Sequence, residues 1–409
     1  MRQTNADIRR LDIEHFIHPY TDFATFKSEG SQVVASASGV HVVDDEGLRY
    51  LDGIAGLWCV NLGHGRREIV GAIAEQAATM QYYNPFGHST NIPATLLAAE
   101  LAELLPGSLN HVFYTTGGST ANDLAIRMVH YYFNRRGQPR KKKIISRVDA
   151  YHGSTYVTAR LTGIHATKYA FDEVAEDLVH HVSAANLYRR PNGMDEAAFC
   201  DYLVNEFEQR ILQLGPDNVA AFIAEPIMGA GGVMVAPAGY HARMHAVCRQ
   251  YGMLYIADEV VTGFGRLGEW SASEAVFGYT PDIMILAKGL TSGYVPLGAA
   301  VFSSEIYDTI STPQRKGAVL SLGFTYSGHA VACAAARATI ATTKRDDINR
   351  HVRQVGPLFQ QLLSELRSFE VVGDVRGSHL MAGIEFVKDR PTKRPFGPGA
   401  AAAHQVFLA

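Results

Sequence analysis

Short apolar runs recur along the middle of this chain, and longer stretches with helical spacing separate them. His111–Thr115, Lys142–Val148, Val219–Ala224, Met253–Ala257, Asp282–Ala287 and Leu297–Phe302 have strand length and end at turn residues. Several are apolar almost throughout rather than alternating, which suits strands covered on both faces, as in a parallel sheet. Between them, Glu68–Met80, Pro93–Leu105, Ser119–Phe133, Asp195–Leu214 and Pro237–Tyr251 read as helices. The alternation predicts an α/β fold with a mostly parallel central sheet flanked by helices.

The two ends have a different texture. Residues 1–65 are irregular apart from one hairpin, Gly39–Val43 and Leu48–Leu51 around a turn at Asp45–Gly47. After Thr325, the Ala-rich Gly328–Thr343 and then Ile348–Phe369 predict helices. Val371–Val375 and His379–Val387 predict strands, and the tail enters a helical pattern after its Pro/Gly loop. The expected organisation is a large domain over 66–325 and a smaller α+β domain. Residues 1–65 and 326–409 would build the smaller one.

Composition narrows the function classes. With 409 residues, 47% hydrophobic and 19% charged, the chain has ample material for a buried core. A formal net charge of −3 provides no field that attracts nucleic acid or membranes. The basic run Arg140–Lys143 lies between a helix and a strand and reads as a solvated loop. No stretch approaches the roughly 18 apolar residues of a membrane span, and the N-terminus has no secretory apolar core. The four cysteines are scattered, with no metal-ligand spacing. The expectation is a reduced, cytoplasmic protein without a metal.

Chemistry concentrates at strand ends. The run Met253–Ala257 delivers Asp258, and Asp282–Ala287 delivers Lys288. In open α/β sheets the ligand lies beyond the carboxyl ends of the strands. A buried salt bridge between these two is one reading, but burying an ion pair rarely stabilises, because desolvation offsets the Coulomb gain. Gly117-Gly118-Ser119-Thr120 follows a strand and opens a helix, which makes either a capped turn or an anion cup. Tyr151 and His152 follow another strand end; the tyrosine is either a rim aromatic or a surface to stack a flat ring on. Glu225 ends the run VAAFIA, as a network partner or as the start of a loop. Trp58, flanked by glycine, is a loop anchor or a pocket wall. Lysine condenses with carbonyls, including that of pyridoxal phosphate. That cofactor wants a lysine, a carboxylate for its ring nitrogen, an aromatic and a phosphate cup. All four occur here at strand ends, so a cofactor shared by Asp258 and Lys288 is the better reading.

Two further patterns compete poorly. Gly263-Phe264-Gly265-Arg266-Leu267-Gly268 fits a dinucleotide fingerprint, but no helix opens on it. His241 and His245 share a helix face without the glutamate of a zinc motif.

These residues resemble the class III (omega) aminotransferases, pyridoxal-phosphate enzymes of fold type I. The resemblance runs from about His15 to Phe386. It rests on ADEVVTGFGR, AKGLTSGYVPLGA, AYHGSTY, AEPIMGAGG and GFTYSGH, while HPYTDF and GLWCVNLGHGR are similar to the amine–pyruvate branch. It implies a ping-pong transfer from an amine such as putrescine, β-alanine or an arylalkylamine to pyruvate, in a homodimer with shared active sites. Lys288 would form the Schiff base and Asp258 would pair with the ring nitrogen. Val260 would pack under the ring and Tyr151 over it, with His152 and Glu225 beside the cofactor. Gly118 and Ser119 would hold the phosphate, with Thr325 of the other subunit. Tyr20, Trp58, Phe86 and Tyr151 would line the donor pocket. The phosphate motif departs from the usual Ser-Gly-Ser-Glu. Family members also continue beyond residue 409, with more of the small domain and an arginine for the keto-acid carboxylate. Arg376 in DVRG is not that arginine by its context. The expected consequences are an incomplete small domain with an exposed apolar face and impaired acceptor recognition. Two alternatives stay open here: another reaction of the same cofactor, such as an aminomutase or decarboxylase, or a non-catalytic remnant or binding protein.

Overall fold

The computed structural model describes residues 4–172 and 176–397. The helical pattern expected in the tail falls mostly outside these residues. The chain opens with α1 (Asn5–His15) and α2 (Phe23–Glu29), then an antiparallel sheet of β1 (Val34–Ser38), β2 (His41–Asp44) and β3 (Arg49–Leu51). The expected hairpin is β2–β3. The two helices were not anticipated: neither has a buried residue, so no apolar stripe marks them. A distorted turn, α3 (Ala55–Trp58), leads to α4 (Arg67–Thr79) and α5 (Ile92–Leu104).

The large α/β unit follows: β4 (Leu109–Thr115), α6 (Gly118–Arg135), β5 (Lys143–Arg147), α7 (Tyr156–Leu161), β6 (Val179–Val182), α8 (Glu196–Leu214), β7 (Val219–Ala224), the short pair β8 (Ile227–Met228) and β9 (Met234–Val235), α9 (Tyr240–Gln250), β10 (Leu254–Asp258), α10 (Ala272–Ala275), β11 (Ile283–Leu286), β12 (Gly298–Ser303) and α11 (Ser304–Ser311). The central seven strands run in the order β4-β12-β11-β10-β7-β5-β6. β12 pairs antiparallel with both neighbours, and the other pairs are parallel. The sheet is mixed and mostly parallel, as its apolar runs predicted. Every residue of β7, β10, β11 and β12 is buried. Ala221, Ile223 and Ile256 pack with α6 on one face, while Phe222, Ala224 and Tyr255 pack with α8 and α9 on the other. Two covered faces explain why these strands lack alternation.

The chain ends in α12 (Ala330–Arg345), α13 (Ile348–Ser364) and a second antiparallel sheet, β13 (Val372–Ser378), β14 (Met381–Asp389) and β15 (Arg394–Pro395). α12 packs on α4 and α5. Leu358, Leu362, Phe369 and Val371 are exposed in and just after α13.

Candidate active site

Four parallel strands and one helix start converge at the carboxyl edge of the sheet. Asp258 closes β10, and Lys288 stands two residues past the end of β11, which pairs with β10 through Asp258 and Ile285. Asp258 is buried, and its Oδ2 accepts Asn122 Nδ2 at 2.8 Å and contacts His152 Nδ1 at 2.8 Å. Its Oδ1 has only the Val260 N–H, at 3.2 Å, among the described residues. One carboxylate oxygen is thus held by the protein while the other keeps room for a cationic donor. Asn122 also donates to the His152 carbonyl at 2.9 Å, so one amide positions both partners.

Lys288 is partly buried, and among the described residues its amine has no hydrogen bond or ion pair. It does not close a salt bridge with Asp258. Burial pushes its proton affinity down; Asp258 and Glu225 oppose this. Its backbone lies in the left-handed region, φ 46°, a costly state for a residue with a Cβ.

Glu225 ties two loops together. Its Oε1 accepts the Tyr151 N–H at 3.0 Å and its Oε2 accepts the Gly229 N–H at 2.8 Å. Burial raises its pKa, and the neighbouring Asp258 adds to the rise. Tyr151 is thereby fixed at the end of β5. Its hydroxyl lies 3.1 Å from Ser154 Oγ, and Tyr20 OH is 3.4 Å away. Tyr20 itself has φ 54° and is mostly exposed. Trp58 is half-buried, packed beside Ile227, Val233 and Leu267.

At the start of α6, Gly117 makes no side-chain cap, so the first-turn N–H groups are open to an anion. Ser119 Oγ accepts the Ser154 N–H at 3.2 Å. A Cβ at Gly118 would lie 3.0 Å from Val260 Cγ2, so the helix start and the valine expected beneath the ring are in contact. The residues present fit pyridoxal phosphate: an amine with no partner among the described residues, a half-satisfied buried carboxylate, an aromatic, and an uncapped helix start.

Two predicted residues lie elsewhere. Phe86 packs against Gly323, and both line an apolar cavity of about 830 Å³ with Val319, Leu320 and Ser327. The Thr325 carbonyl accepts Tyr82 OH at 2.6 Å. No hydrogen bond or ring contact joins Phe86 or Thr325 to Lys288 or Asp258 among the described residues.

The competing motifs resolve into packing. Gly265 and Gly268 take φ 90° and 76° in a tight bend where Gly265 N–H donates to Glu269 O at 2.9 Å. Gly268 abuts Arg353 of α13, so these glycines admit that helix rather than a dinucleotide. His241 has Tyr255 OH and Pro226 O, each at 2.9 Å, on its two ring nitrogens, and burial pushes its pKa down to about 3. It is a core histidine. Arg376 bonds Gly232 O at 2.7 Å and pairs with Asp374 and Glu385.

The family model for aminotransferase class-III matches residues 25–406. The chain belongs to the class III aminotransferases. It is 40% identical over 397 residues to the putrescine–pyruvate aminotransferase of Pseudomonas aeruginosa, covering 96% of this chain and 86% of that protein. It is 40% identical to the chloroplastic gamma aminobutyrate transaminase 3 of Solanum lycopersicum, covering 96% and 76%. Among solved structures, the (S)-enantioselective omega-transaminase of Thermomicrobium roseum superposes with a TM-score of 0.93 at 41% identity, over 97% of this chain and 88% of that one. The Pseudomonas jessenii omega transaminase in complex with PMP does so at 0.93 and 39%, over 95% and 86%. This class III aminotransferase therefore has the fold type I architecture its motifs suggested.

Sequence reasoning missed Asn122. The signal was present: it lies four residues after Gly118 on α6, a polar residue on the face that carries Ala125, Ile126 and Val129 into the core. Asn61 and Arg266, described below, were quoted only as parts of longer motifs.

Proposed function

We propose that this aminotransferase moves the amino group of an ω-amine or amino acid to pyruvate or a related keto acid, with pyridoxal 5′-phosphate at the Asp258–Lys288 edge. The observation that carries the reading is Lys288: an amine with no partner among the described residues, beside a carboxylate held by Asn122, His152 and the Val260 N–H. When bound, the cofactor supplies an electron sink for the bond broken at the donor carbon. Asp258, anchored through Oδ2 by Asn122 and His152, presents Oδ1 to the ring nitrogen and favours the protonated form. Lys288 Nζ takes up the proton from the donor carbon; its depressed proton affinity leaves more neutral amine available near neutral pH. Gly118 and Ser119 offer the α6 N-terminus to the phosphate, Val260 and Tyr151 sandwich the ring, and His152 and Glu225 hold the surrounding loops. Tyr20 and Trp58 border the donor side.

Pyruvate as acceptor is supported by the named activity of the Pseudomonas aeruginosa relative. Phe86 and Thr325 are proposed to serve the site of a second copy in a homodimer. The support is that Phe86 lines an open apolar cavity whose lining does not include Lys288, and that the Thr325 carbonyl is engaged by Tyr82 rather than by the lysine. Among the described residues no helix is long and apolar enough to cross a membrane; cytoplasmic residence is part of the proposal.

The test is a half-reaction. The purified chain is loaded with pyridoxal 5′-phosphate and given putrescine without acceptor; its visible absorbance falls. Pyruvate restores it and alanine appears. Lys288→Ala shows neither the absorbance nor turnover. Normal transamination by that variant, or carbon dioxide or an isomerised amine in place of alanine, overturns the assignment.

A further inference from the structure

Three residues with a Cβ adopt left-handed backbone around the lysine: Phe264 (φ 54°), Lys288 (φ 46°) and Ser292 (φ 50°). Such residues persist only where their surroundings over-determine them. Here the surroundings converge on two consecutive residues of the N-terminal segment. Asn61 Nδ2 donates to the Phe264 carbonyl at 2.8 Å, and Asn61 Oδ1 accepts Arg266 Nη2 at 2.5 Å. The same Nδ2 presses on the backbone next to the lysine: a methyl at Gly289 would overlap it. The Leu62 N–H donates to Ser292 Oγ at 3.0 Å, and Ser292 is fully buried. Tyr294 OH continues the seam, accepting the Arg66 N–H at 2.6 Å and donating to Gly63 O at 3.1 Å.

The short 3₁₀ turn Lys288–Thr291 is therefore clamped from outside its own sheet. A relaxed turn would take Lys288 to an ordinary negative φ and swing its side chain to a different direction. Asn61 blocks that relaxation from the Gly289 side, while its amide oxygen and nitrogen are both fixed by the bend 264–266. Arg266 holds the amide in orientation; among the described residues it has no carboxylate partner to draw it away.

We propose that Asn61 is a positioning residue for Lys288, holding the strained turn so that Nζ faces the cofactor aldehyde. The inference rests on the reading of Lys288 given above. The step it controls is condensation: the amine adds to the aldehyde carbon, and the carbonyl oxygen leaves as water.

Two forms of the cofactor separate positioning from general damage. Pyridoxal 5′-phosphate must be captured by Lys288. Pyridoxamine 5′-phosphate carries an amine instead of the aldehyde and makes no bond to the lysine. In stopped-flow absorbance with apo-enzyme, Asn61→Ala captures pyridoxal 5′-phosphate at least tenfold more slowly than the unmodified chain. Its affinity for pyridoxamine 5′-phosphate, read by fluorescence titration, stays within about twofold of the unmodified chain, the agreement ordinary for a site left intact. Gly289→Ala, which collides with the intact Asn61, gives the same slow capture from the opposite side. The double variant recovers part of the rate, because the new methyl occupies space the shortened residue 61 has left. Capture at the unmodified rate in Asn61→Ala overturns the proposal, as does a parallel loss of affinity for both cofactor forms, or additive losses in the double variant. Failure of the underlying reading looks different: the unmodified chain itself would not capture pyridoxal 5′-phosphate, and borohydride would fix none of it to Lys288.

Discussion

Adding one methyl at Gly118 tests whether the helix start and the floor of the cofactor site act as one unit. The backbone at Gly118 is not left-handed, so alanine is conformationally acceptable and gains about 0.5–1 kcal/mol as a helix residue. Against this, the new Cβ meets Val260 Cγ2 at 3.0 Å and Cγ1 at 3.2 Å. Carbon contacts are optimal near 3.5–4.0 Å, so both methyls must retreat by about half an ångström. Overpacking of this size costs about 1–3 kcal/mol. The helix gain offsets only part of the overpacking, so Gly118→Ala should lower the unfolding free energy of the apo protein by about 0–2.5 kcal/mol in urea. The affected quantity is cofactor affinity, because Val260 moves toward the space the ring needs. A loss of about 1.4 kcal/mol corresponds to tenfold weaker binding of pyridoxal 5′-phosphate. Val260→Ala removes the colliding methyls, so Gly118→Ala should cost nothing further in that background. The assay is a double-mutant cycle on the dissociation constant from absorbance titration, with an expected coupling equal to that loss, about 1.4 kcal/mol. Strictly additive losses would refute the contact argument and place the phosphate cup and the ring floor in independent parts of the site.

Other perturbations follow from the same geometry. Asn122→Ala removes a hydrogen bond to a buried carboxylate and strands the His152 carbonyl; apo stability in urea should fall by about 2–4 kcal/mol, and a loss below about 0.5 kcal/mol would contradict the network. Asp282 accepts the Tyr255 N–H at 2.7 Å, and burial raises its pKa from 3.8 to about 6. A raised carboxyl favours the folded state below its unfolded pKa and loses that contribution as pH rises toward 6. Two pKa units correspond to about 3 kcal/mol, cut to about 2 by solvent at its open edge. Asp282→Asn keeps an acceptor for Tyr255 and should flatten the fall in stability between pH 4 and 6; an unchanged slope in acid titrations of unfolding rules this out. Gly268→Ala meets a φ of 76° and Arg353 Cγ at 2.6 Å, so it should lower stability by about 1–3 kcal/mol and expose the α13 contact to proteolysis first.

The parts of the molecule that were legible in advance are those where burial dictates composition. β7, β10 and β11 are covered on both faces, so their apolar runs and the single charged residue after each stood out. The reversed direction of β12 was not legible, although a reason exists in the chain. Only residues 287–297 separate β11 from β12, and their one helical element is the turn Lys288–Thr291, too little for a parallel crossover. β6 was missed because its core VHHV places two histidines where apolar residues were sought. α11 follows β12 without a break and buries only Ile306. In the site, Asp258 and Lys288 were readable from position alone. Asn122 and Asn61 were not, because a buried amide is indistinguishable in sequence from a solvated one until its partners, distant in the chain, are brought to it.

The residues proposed for the cofactor and those proposed for the donor rest on different foundations. Asp258, Lys288, Glu225 and Gly118 sit at the ends of buried strands or the start of a long helix, where a change disturbs the core. Tyr20 and Trp58 sit on irregular N-terminal backbone with φ of 54° and 62°, outside that sheet. Loops of this kind accept substitution and insertion more readily than the elements beneath them. Substrate preference can then drift while the reaction stays the same. A library at position 20, which is mostly exposed, should return folded, cofactor-competent protein far more often than a library of equal size at the strand ends.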